Sequence, residues 1–151
     1  MTPYESDILS DLIRVKRECL LQLRDMGRRQ KDLIEEGNMT TLMDVLAAKQ
    51  RPLMALQRIE RALDSFRNQD PEKRQWRLPE ARAQCADQVQ ECDNLLAEIV
   101  SQEKDCEAAL VKRRDEAAAR LQGAHLAGRA RSAYLPRTNK PMGQLDLFSE
   151  Q

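Results

Sequence analysis

The chain has 151 residues, of which Ala, Glu, Lys, Leu and Arg supply 75, the bias of long helices and coiled coils. With aromatic residues at 3% and charged residues at 33%, it can bury narrow seams along helices but not a broad sheet-backed core. A β-sandwich or doubly wound sheet is therefore excluded. So is a chain living mainly on nucleic-acid phosphates, because 25 Lys and Arg balance 25 Asp and Glu where such proteins carry a basic surplus.

The first helix is expected over about residues 5–36, with an apolar stripe at Ile8, Leu12, Val15, Cys19, Leu23, Met26 and Leu33. The spacing of three and four is that of a coiled coil, with a local shift near Leu23. Gly37 suits the left-handed position just past a helix end, and Asn38 or Thr40 can cap the helix that follows. That second helix is expected over about 39–66. Its stripe is Leu42, Leu46, Leu53, Leu56, Ile59, Leu63 and Phe66, with Lys49 in the gap and Pro52 inside it. A proline removes one backbone hydrogen bond and crowds the preceding turn, so a kink or short break is expected near Gln50.

Residues 67–78 are polar and contain the turn pair Asp70-Pro71. The lone tryptophan, Trp76, is expected to cap the end of the bundle rather than bind a ligand. Pro79 is a good first-turn residue, and a third helix is expected from there to about Leu121. Its stripe alternates four and three: Cys85, Val89, Cys92, Leu96, Ile99, Glu103, Cys106, Leu110, Arg113 and Ala117. Glycines and prolines then accumulate, so residues 123–151 read as a flexible tail with four basic and two acidic residues. The fold class is thus an all-α, antiparallel three-helix bundle, coiled-coil-like, over residues 1–122.

At 1.5 Å per residue the three helices measure about 48, 42 and 64 Å. Short connections make successive helices antiparallel neighbours, so the third outruns the other two from about Ala108. An apolar stripe without internal cover there is a partner site, a seam between copies or a frayed end. Leu110, Ala117 and Leu121 lie on it.

The four cysteines, Cys19, Cys85, Cys92 and Cys106, form no CxxC pair. Those on the third helix are separated by multiples of seven and read as small apolar seam residues. The single histidine, His125, lies in a Gly/Ala-rich stretch and is not expected to be catalytic or a ligand. No phosphate loop, dinucleotide fingerprint, HExxH or GxSxG occurs. The expectation is of no enzyme, no cofactor and no metal. No apolar run is long enough to span a membrane, and the acidic start Glu5-Ser6-Asp7 does not read as a secretion signal. The cytoplasm is the expected compartment.

The stretch Gln30 to Leu42 is a helix end, a Gly-Asn turn and a restart. Leu46-Ala47-Ala48-Lys49-Gln50 follows, then Leu53, Leu56, Glu60 and Leu63. Over about residues 5–121 this layout resembles the FlgN family of flagellar export chaperones. Pro52 and the cysteine-rich third helix depart from that pattern. The resemblance implies a cytoplasmic bacterial protein without catalysis. It would bind the helical C-terminal segment of hook-associated filament-junction proteins and deliver them to the type III export apparatus. It further implies binding through the C-terminal part, where Leu110, Ala117, Leu121, Leu126 and Tyr134 are the candidate contacts. A second signal lies in the tail: Gln144-Leu145-Asp146-Leu147-Phe148 resembles the short peptide by which bacterial replication and repair proteins dock on the DNA polymerase sliding clamp. There Leu147 and Phe148 would fill an apolar pocket beside a hydrogen bond from Gln144. The two readings, export chaperone and clamp-docking adaptor, stay open, as does a homodimer made by exchanging third-helix overhangs.

Overall fold

In a computed structural model residues 4–134 are described; residues 1–3 and 135–151, including the expected tail contacts Leu145, Leu147 and Phe148, lie outside that range. Three α-helices, α1 (Glu5–Glu36), α2 (Met39–Arg67) and α3 (Pro79–Tyr134), are joined by a two-residue turn and by a connector holding a 3₁₀ turn, Pro71–Lys73. Residues up to Val111 form one compact unit, and those from Lys112 belong to a second.

Within the first unit the helices run up, down and up. Lys16 pairs with Glu60 (2.8 Å) and Gln30 with Lys49 (2.9 Å), so α2 is antiparallel to α1. The Cys92 thiol lies 3.9 Å from the Ile13 carbonyl, and Gln102 Nε2 donates to the Arg24 carbonyl at 3.2 Å. This portion of α3 is therefore parallel to α1.

The turn between α1 and α2 is built by its two residues. Gly37 adopts φ 77°, a conformation that a Cβ would strain. Its N–H donates to the Ile34 carbonyl (3.1 Å) and that of Asn38 to the Leu33 carbonyl (3.0 Å), the paired bonds of a Schellman cap. The Asn38 side chain then accepts from the Thr41 N–H at 3.2 Å, capping α2. At the opposite end, Arg74 donates to the Phe66 carbonyl (3.1 Å) and stacks over the Phe66 ring. Trp76 packs against the larger core cluster, the bundle-end role expected of it.

The core is a set of seams, and its phase differs from the expected one. On α1 the buried run is Ser6, Leu9, Ile13, Leu20, Leu23, Gly27, Gln30 and Ile34, with Cys19 and Leu33 also buried. The expected Ile8 is exposed. α1 touches both other helices, so its buried face is wider than one stripe. On α2 the seam is Leu42, Val45, Lys49, Pro52, Leu56, Ile59, Leu63 and Phe66, buried or half-buried, while Leu53 is exposed. The helix is unbroken at Pro52; the proline ring sits in the seam, and the break expected near Gln50 is absent. On α3 the set Cys85, Cys92, Ile99 and Cys106 holds its place. Its alternating partners are Gln88, Leu95 and Gln102, each one residue before the expected Val89, Leu96 and Glu103, whereas Ala109 and the expected Leu110 are both half-buried. Val89 and Leu96 are exposed.

α3 also ends later than expected, at Tyr134 instead of about Leu121. A Cβ added at Gly123 or Gly128 would meet nothing within 4 Å, and no proline occurs between Pro79 and Pro136. The helix therefore continues through the Gly/Ala-rich stretch read as tail.

Candidate functional site

A polar layer interrupts the seams. Lys49 from α2 is 7% exposed. Its ammonium donates to Gln30 Oε1 of α1 at 2.9 Å and pairs with the Glu103 carboxylate of α3. The layer lies between two apolar clusters, one around Leu20, Leu23, Ile59 and Cys92 and the other around Leu33, Ile34, Leu42 and Cys106. A buried ammonium must be paired and hydrogen-bonded, and only one axial alignment of the three helices gives Lys49 both partners. The layer thus favours one register, the role of a single polar seam residue in coiled coils.

Beside this layer is a groove of about 520 Å³, with Leu46, Ile99, Val100, Cys106, Leu110 and Val111 on its walls and Gln30, Glu103, Lys104 and Glu107 among its polar residues. It results from the phase difference on α3. Leu95 and Gln102 take the seam positions, and Ala109 shares the next with Leu110. Val100 and Val111, 46% and 40% exposed, then lie on a flank that α1 and α2 do not cover. The sequence reading assigned Leu46 and Leu110 to a seam and did not foresee a groove between them.

Residues Lys112 to Tyr134, taken by themselves, are an exposed helical segment. Leu121 is 72%, Leu126 56% and Tyr134 90% exposed, and Ala117 is exposed. Of the five expected contacts, these four are uncovered. Leu110 is half-buried against the second cluster, and Ala109 packs there too, while Ala108 and Val111 are exposed. The segment Lys112 to Tyr134 carries six basic and two acidic residues, while residues 1–111 hold 17 Lys and Arg against 21 Asp and Glu. His125 lies with Ala124, Gly128, Arg129 and Ser132 around a shallow depression.

All four cysteines are buried as free thiols. Burial pushes each thiol above its ordinary value, so they stay protonated and weakly nucleophilic near neutral pH. For Cys85, the Ser10 side chain and the Arg74 charge offset part of that push. Among the described residues no group of three His, Cys, Asp or Glu side chains could hold a metal ion, and no helix is long and apolar enough to cross a membrane. The chain matches no family model, no curated protein and no solved structure.

Proposed function

We infer that the chain is a flagellar export chaperone of the cytoplasm, one that binds a helical segment of a hook-associated protein and delivers it to the type III export apparatus. The observation that carries this reading is the helical segment Lys112 to Tyr134, on which Leu121, Leu126 and Tyr134 are exposed. Exposed apolar residues on a helix can serve as contacts for a helical partner. The helix end, Gly-Asn turn and restart that carry the resemblance to the FlgN family form a capped hairpin at Gly37-Asn38. The reading involves no catalysis, cofactor or nucleic acid.

The test is direct binding of the purified chain to purified hook-associated proteins and to peptides of their C-terminal helices, measured by calorimetry. Binding that Leu121→Asp with Leu126→Asp abolishes, while Ile8→Asp on the exposed part of α1 leaves it intact, supports the reading. No binding to any of these proteins overturns it. The second reading, a sliding-clamp adaptor, is favoured by the peptide Gln144-Leu145-Asp146-Leu147-Phe148. It requires binding to purified clamp that Phe148→Ala removes.

A further inference from the structure

We propose that the groove beside the polar layer is a docking site for the basic segment Lys112 to Tyr134 of a second copy of this chain. Three observations point to that occupant. The groove has an apolar wall that includes Leu46, Val100 and Val111 and is left open by the first unit's own helices. An open apolar trough flanked by helices accepts another helix laid along it. The segment from Lys112 supplies such a helix: Leu121 and Leu126 are uncovered, and Ala117, Ala124 and Gly128 share the Leu121 stripe at coiled-coil spacing, so a neighbouring backbone can approach closely.

Charge then selects the partner. The acceptor unit carries a surplus of four acidic charges; at the groove Glu103 is paired with Lys49, and Glu107 lies there beside Lys104. The segment carries a surplus of four basic charges, and Arg120, Arg129 and Arg131 follow its last acidic residue, Glu116. Opposite surpluses on two parts of one sequence attract between copies, a form of electrostatic complementarity that sets partner choice more than bulk affinity. The inference does not depend on the chaperone reading; where both hold, a client helix and the second copy compete for the same segment.

The experiment is sedimentation of the full chain across the micromolar range, at low and high salt, joined to crosslink mapping. A photoreactive benzophenone is placed on Leu121→Cys, and the labelled chain is mixed with isotope-labelled wild type. The expected result is reversible self-association that weakens with salt. Leu121→Asp should weaken it at least about tenfold, the equivalent of losing one buried leucine contact. Glu107→Lys should weaken it as well. Crosslinks should fall on residues 99–111 of the isotope-labelled copy. Leu121 is exposed, so Leu121→Asp should leave the melting temperature of the bundle unchanged, which separates lost docking from lost folding. A monomer at all concentrations overturns the proposal. So do crosslinks confined to residues 112–134 of the second copy, or to the labelled chain itself.

Discussion

The polar layer makes a quantitative test of how the bundle is held. In Glu103→Ala the Lys49 ammonium keeps one partner, Gln30, at a site where its own side chain is 8% exposed. Removing one member of a fully buried pair costs about 3–5 kcal/mol, because the remaining charge is left uncompensated. Glu103 is 46% exposed, so solvent already screens its half of the pair, and the loss should fall to about 2 kcal/mol. The comparison is Glu98→Ala, which removes the Arg28–Glu98 pair, 59% and 42% exposed; a pair of that kind contributes about 0.5 kcal/mol or less. Replacing Gln30, Lys49 and Glu103 together by Leu, Met and Leu should leave stability unchanged or raise it by about 1–4 kcal/mol, since no charge is left to desolvate. Urea unfolding followed by helical circular dichroism and by Trp76 fluorescence reads all three. The midpoint should shift at constant slope. Equal losses in Glu103→Ala and Glu98→Ala, or a triple variant less stable than Glu103→Ala, would refute the reasoning that burial gives this layer its weight.

Leu20→Ala, at a fully buried position of α1, should cost about 2–5 kcal/mol by the same unfolding assay, the range for a leucine-sized core deletion. Gly37→Ala should cost about 1–2 kcal/mol, the strain of a Cβ at φ 77°, and Gly37→Asn less than that. Burial alone would push the Glu60 carboxyl up, but hydrogen bonds and charge from Lys16 and Arg67 outweigh it and hold the group below its ordinary 4.5. Its stabilisation is complete above pH 4.5 and is lost as the pH falls through the lower folded-state value. The acid limb of a stability–pH profile should therefore be shallower in Glu60→Gln. A thiol reagent at neutral pH should label the four cysteines slowly in the folded protein and all of them rapidly in urea; fast labelling of the native chain would contradict their burial.

The local backbone was legible in the sequence because its signals are local. The limits of α1, the Gly37-Asn38 turn with its cap, and the Pro79 start of α3 follow from residues adjacent to the events they control. The repeat of three and four was legible for the same reason. Which neighbour of an adjacent pair faces the seam was not. Leu95 and Leu96 are identical as residues, and Val89 is more apolar than Gln88, yet the buried or half-buried members are Leu95 and Gln88. That choice depends on the rotation of α3 against two other helices, a property of no single helix. That α3 is the longest of the three helices could be inferred from its unbroken repeat. The later end at Tyr134 could not, because glycine in a helix costs only about 1 kcal/mol relative to alanine and neighbouring turns can absorb it.

The sequence by itself thus determined an all-α chain, the number of helices and the turns between them, because composition, heptad period and capping residues act within a few positions of where they stand. Tertiary structure alone decided the rotation of each helix. That rotation brings Lys49 between Gln30 and Glu103 and leaves Val100 and Val111 beside an open groove. The physical reason is that burying an ammonium and closing a seam are both cooperative across three helices. The energy of each residue is set by partners about 20 to 80 positions away, which a reading of neighbours along the chain does not contain.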